Sequence, residues 1–152
     1  MILVHGYQGS ENSMYSVGAN YYAQAFNVLT FNHRGMQTSD GDYITMGIKE
    51  QYDLVAWLEA LVSVHPEANI VTHGDSMGAA TVLMASGLEE YSEEVVAVVA
   101  NSAYTSVWEV FESELYQRFD IPAFPTLHMA SLVGIPRVDI NLFTEGAIRF
   151  LK

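Results

Sequence analysis

Ser76 stands between two glycines in His73-Gly74-Asp75-Ser76-Met77-Gly78, the pattern G-x-S-x-G. A serine hydroxyl attacks an acyl carbon when three conditions are met. It must be exposed, a base must take its proton, and hydrogen-bond donors must await the oxyanion. The residues before Ser76 read as a strand and those after it as a helix. The pattern therefore falls on a sharp strand-to-helix turn that projects the hydroxyl above a sheet. Gly74 and Gly78, followed by Ala79 and Ala80, leave room for strand and helix to approach closely. The helix start adds a partial positive charge, and the Met77 N–H points to where an oxyanion would form. A second donor is expected from His5-Gly6-Tyr7-Gln8-Gly9-Ser10, after the first strand, with the Tyr7 N–H the first candidate and Gln8 the second. Nucleotide binding fits poorly, since neither glycine-rich phosphate motif is present and this loop has no lysine.

Elements must hold these residues in place. Apolar runs at 2–4, 27–32, 69–72 and 95–100 have strand length and do not alternate with polar residues, which predicts strands buried on both faces. Helical patterns over 13–26, 46–65 and 77–88 fill the crossovers. In the second, Tyr52, Val55, Leu58 and Val62 form the apolar stripe, Glu50, Asp53 and Glu59 lie off it, and Pro66 ends it. The order predicts an α/β fold, a parallel sheet of about four strands with helices on both faces. One domain of 152 residues is expected, with a core at 1–104 and lid-like or packing helices over 105–152. That second part holds a helical stretch at 106–119, an apolar stretch broken by proline at 121–136, and a short helix at 144–152.

His5-Gly6 after one strand, Asn32-His33-Arg34-Gly35 after the next and HGDSMGAA after the third resemble the α/β-hydrolase fold of serine hydrolases. More narrowly, SMGAATVLMASG, the run from Asn101 to Trp108 and PAFPTLHMASLVGI are similar to a bacterial esterase/peptidase-like branch. The resemblance covers nearly the whole chain. It implies that the strands form the centre of a larger sheet, that Ser76 is the nucleophile, and that the Met77 and Tyr7 N–H groups form the oxyanion hole. It also implies an order of serine, acid and histidine, each after a later strand. Here the strand following Ser76 ends in Asn101, a carboxamide. Met1-Ile-Leu-Val-His reads as the interior of a strand, so the expectation is a hydrolase truncated at both ends, its acid and base lying beyond residue 152.

The internal histidines are poor substitutes for that base. His5 and His73 sit at strand ends inside glycine motifs, His33 belongs to a loop-shaping motif, and His65 ends a helix as a dipole partner. His128 lies in the segment that could fold over the site, on what reads as an amphipathic helix packed on the body. Lys49 is on a surface helix. No base is assigned within the chain.

Composition bounds the rest. Eighteen acidic against six basic residues, with no basic run, disfavour nucleic acid and anionic membranes as partners. With no cysteine there are neither disulfides nor thiolate sites. Glu89, Glu90, Glu93 and Glu94 read as a solvated loop and Asp40-Gly41-Asp42 as a turn, so no metal and no cofactor are expected. The expected function is serine hydrolysis of carboxylic esters or related acyl compounds through an acyl-Ser76 intermediate, nearly silent in this chain alone. The alternatives are a non-catalytic binding module on the same scaffold, and a site completed by another chain. A cytoplasmic location and self-association through exposed sheet edges complete the expectations.

Overall fold

The computed structural model describes residues 1–144 and 146–147. Four parallel strands, β1 (Ile2–Val4), β2 (Leu29–Thr30), β3 (Ile70–Asp75) and β4 (Val95–Asn101), form one sheet in the order β2-β1-β3-β4. A 3₁₀ turn (Glu11–Met14) leads into helix α1 (Tyr15–Ala23), α2 (Glu50–Val64) connects β2 to β3, and α3 (Met77–Ser86) connects β3 to β4. Helices α4 (Val107–Phe119) and α5 (Ala123–Val138) follow. Parallel pairing requires these crossovers, and it brings the carboxyl ends of β1, β3 and β4 to one edge of the sheet.

Alternation along β1 divides its side chains between two layers. Ile2 and Val4 enter a core with Leu54, Val55 and Leu58 of α2 and Val82 and Ala85 of α3. Leu3 points the other way, where its side chain packs under Gly18 of α1. Helix α3 is buried nearly all round, as its uniformly apolar sequence requires. The opposite face of β3 is only half covered: Val71, His73 and Asp75 are partly exposed while Ile70, Thr72 and Gly74 are buried.

Several sequence expectations need correction. β2 spans two residues rather than the six of 27–32, and the first helical stretch is divided between the 3₁₀ turn and α1. β4 is not buried on both faces: it is an edge strand with Val96 at 59% and Val99 at 38% exposure. On α2 the stripe is rotated, exposing Tyr52 and burying Glu50. The cause is local hydrogen bonding. The Glu50 carboxylate accepts from the Thr45 N–H (2.7 Å), the Thr45 hydroxyl (2.6 Å) and the Gly47 N–H (2.9 Å), which offsets its desolvation.

Helices α4 and α5 attach through a small second cluster, in which Val107 and Ile140 meet Ile48. Ser106 caps α4 by accepting the Glu109 N–H at 3.4 Å. Phe119, Phe124, Met129 and Leu132 remain exposed on this part. The helix expected at 144–152 falls largely outside the described residues. No helix among the described residues is long and apolar enough to cross a membrane.

Candidate active site

Strand β3 ends at Asp75 and α3 begins at Met77, leaving Ser76 alone to turn the chain. It does so with φ 53° and ψ −115°, a left-handed conformation that a residue with a Cβ rarely adopts. Three contacts hold it there. The Ser76 N–H donates to the Asn101 carbonyl at 2.9 Å, and the Ser76 carbonyl accepts the Ala80 N–H at 3.1 Å as the first bond of α3. The third is steric. A Cβ on Gly74 would lie 2.1 Å from the Gly78 carbonyl oxygen, and one on Gly78 would lie 2.0 Å from that of Val4. Both glycines of the pattern are therefore required by backbone touching backbone.

The loop after β1 packs directly on this turn. A Cβ on Gly6 would stand 3.2 Å from the Ser76 Cβ and 3.8 Å from its Oγ. Gly6 to Gly9 form a tight turn closed by the Gly9 N–H donating to the Gly6 carbonyl at 3.0 Å, with Gln8 at φ 58°. The structure thus brings together Ser76, Met77 and the loop bearing Tyr7. Met77 is fully buried but its N–H is the first of the helix and has no intrahelical acceptor. Tyr7 is 54% exposed, and its N–H meets no acceptor among the described residues. Ser76 itself is exposed, and its hydroxyl has no hydrogen-bond partner among the described residues.

The histidines are engaged elsewhere. His33 donates from Nε2 to the His5 carbonyl at 2.9 Å, and its backbone N–H donates to His5 Nε2 at 3.2 Å. Burial, with the neighbouring His5, pushes His33 down to about 4, so its ring stays neutral. His73 meets the Tyr21 hydroxyl at 2.9 Å through Nδ1, on the α1 side of the sheet. His65 closes the end of α2, and His128 lies edge-on among Trp108, Phe124 and Phe143. At the end of β4, Asn101 donates from Nδ2 to Asp75 Oδ1 at 2.7 Å, tying the two strand ends together beside Ser76. No metal-ligating cluster occurs among the described residues. One groove, of about 420 Å³, lies beside the Arg34–Asp53 ion pair and Trp57. Another, of about 920 Å³, lies among Phe26, Leu61 and Pro66. Neither is lined by Ser76.

Known proteins share this fold. The sequence model of the family described as serine aminopeptidase, S33, matches residues 1–138. The chain belongs to the serine aminopeptidase S33 family. Its structure resembles the Pyrococcus furiosus esterase Pf2001 at 27% identity and a TM-score of 0.68, over 99% of this chain and 57% of the esterase. A Paleococcus ferrophilus monoacylglycerol lipase (19% identity, TM-score 0.61, 90% of this chain and 46% of the lipase) shares the fold. So does mouse alpha/beta hydrolase domain-containing protein 10 (20%, 0.57, 86% and 49%). No curated protein sequence gives a significant match. The S33 family chain therefore has the α/β-hydrolase fold and spans a little over half the length of the esterase it resembles.

Proposed function

We propose that the chain carries the nucleophile of a serine hydrolase acting on carboxylic esters or related acyl compounds. The observation that supports this best is Ser76 itself: an exposed hydroxyl on a left-handed turn, with the first N–H of α3 beside it and the Gly6 loop packed on it. In the proposed reaction Oγ attacks the acyl carbon as its proton passes to a base. The Met77 and Tyr7 N–H groups receive the oxyanion, the alcohol or amine leaves with a proton, and water later releases the acid from acyl-Ser76. The S33 family assignment and the likeness to an esterase support the same chemistry.

Two other readings draw on a specific observation, the lack of any hydrogen-bond partner for the Ser76 hydroxyl among the described residues. In one, a second polypeptide supplies acid and base, docking along the exposed β4 edge. In the other the scaffold binds without turnover. A fluorophosphonate probe separates the three. Labelling of the folded chain that disappears in Ser76→Ala supports an activated serine. Labelling only after a partner copurifies or is added supports a completed site. A folded chain that stays unlabelled in both conditions supports the binding module.

A further inference from the structure

The Gly6 carbonyl and the Tyr7 N–H are opposite ends of one planar peptide group, so whatever holds the oxygen also aims the hydrogen. Two donors hold that oxygen: the Gly9 N–H at 3.0 Å and His5 Nδ1 at 2.8 Å. His5 can donate from Nδ1 only when Nε2 is bare, because a neutral imidazole carries one proton. The protein enforces this by pointing the His33 backbone N–H at His5 Nε2. The His33 ring, whose own proton must sit on Nε2 to reach the His5 carbonyl, fastens the two chain segments a second time. Both rings are fully buried, 4.5 Å apart and edge to face, so water does not compete for these bonds. Gly9 is shaped to the same purpose, since a Cβ there would lie 3.0 Å from His5 Nδ1.

We propose that the His5–His33 pair is a tautomer lock that fixes the orientation of the Gly6–Tyr7 peptide, making His5 a positioning residue for the Tyr7 N–H and His33 a positioning residue for His5. This rests on the nucleophile reading above for its role in hydrolysis, although the lock itself is a statement about hydrogen bonds alone. Neither histidine touches substrate in this scheme. His5 acts through a backbone peptide, and His33 acts through His5.

Two amide substitutions separate a positioning role from a purely structural one. An asparagine amide nitrogen occupies about the place of imidazole Nδ1, whereas that of glutamine occupies about the place of Nε2. Both His5→Asn and His5→Gln lose the buried ring, so both lose stability; a glutamine amide oxygen near the Nε2 position can still accept the His33 N–H, and the shorter asparagine does not reach it. Only His5→Asn keeps a donor for the Gly6 carbonyl. The first measurement is made on the unaltered chain, whose histidine tautomers are read from ¹⁵N-detected two-bond couplings. His5 is expected as the Nδ1–H form and His33 as the Nε2–H form. The second follows the Tyr7 amide resonance, expected to move strongly in His5→Gln and little in His5→Asn. The third is the rate of fluorophosphonate labelling of Ser76 in folded samples. It should fall about 10²-fold in His5→Gln, the size of one oxyanion donor, and stay within about tenfold of the unaltered chain in His5→Asn.

His5 found as the Nε2–H form, or two variants alike in amide shift and labelling rate, overturns the lock. The expected tautomers and amide shifts in a chain that never labels would uphold the lock and overturn the nucleophile reading instead. A variant that fails to fold leaves the tautomer measurement to decide.

Discussion

Gly78→Ala puts the close approach of α3 and β1 to a test of sign. Gly78 is the second residue of α3, where alanine is ordinarily the better helix former by about 1 kcal/mol. If Gly78 were only a flexible residue, the substitution would stabilise the protein. The geometry requires the opposite. The added Cβ would lie 2.0 Å from the Val4 carbonyl oxygen, 2.6 Å from its carbon and 2.7 Å from the His5 oxygen. All three are backbone atoms, two at the end of β1 inside the sheet and one in His5 directly after it, so no side chain can turn aside. Relief demands that α3 and β1 part by roughly 1 Å, at or beyond the upper end of the 1–3 kcal/mol that overpacked cores lose. A net loss of about 3 kcal/mol corresponds to a fall in Tm of about 6–12 °C in a chain of this length. Thermal unfolding followed by circular dichroism measures it. Gly18→Ala is the control: its Cβ would meet side-chain atoms and no backbone, the movable end of Leu3 (Cδ1) at 3.2 Å and Val28 Cγ1 at an ordinary contact distance of 3.4 Å. The helix preference should there offset the crowding and leave Tm within about 3 °C of the parent. A Gly78→Ala protein as stable as the unaltered one would refute the backbone contact, and with it the account of why Ser76 is held in its turn.

Other expectations follow from the same contacts. Ser76→Gly removes a Cβ from φ 53°, ψ −115°. It should raise Tm by about 2–4 °C while abolishing fluorophosphonate labelling, since relief of about 1–3 kcal/mol of strain exceeds the cost of added chain freedom. His33 is held at about 4 when folded against 6.5 when free, so the unfolded chain binds the extra proton between those values and stability falls with pH across that window. Urea midpoints should reveal a loss of about 2 kcal/mol from this group between pH 7 and pH 5, and a His33→Gln protein with an unchanged pH slope contradicts the assignment. Arg34 and Asp53 form a two-pronged ion pair, with bonds of 2.5 and 2.6 Å, about a third exposed on each side. Asp53→Ala should cost up to about 1 kcal/mol in low salt and less in 1 M NaCl; a loss independent of salt would point to packing instead.

The turn at Ser76 was legible in the sequence because its causes are local. Two glycines, two alanines and a serine within seven residues admit few backbone paths between a buried strand and a buried helix. The alternation of apolar runs and helical patterns likewise determined an α/β fold, since parallel strands cannot be joined without crossovers. Other features depend on partners far away along the chain. Glu50 looked like a solvent-facing charge until the Thr45 and Gly47 donors were seen around it. Val96 and Val99 read as buried because their sequence carries no record of which strand lies beside them, and in this sheet β4 stands at the edge.

The sequence by itself determined which serine stands at the turn, because its chain neighbours set that turn, whereas parallel pairing of β1 with β3 is what lays the Gly6 loop against it. Only the tertiary structure decided what the histidines do. His5 and His33 are 28 residues apart and each looks like an isolated strand-end residue. Parallel pairing of β1 with β2 stacks their carboxyl ends, so the two rings meet in a dry interior where one proton on each is enough to dictate every bond they make.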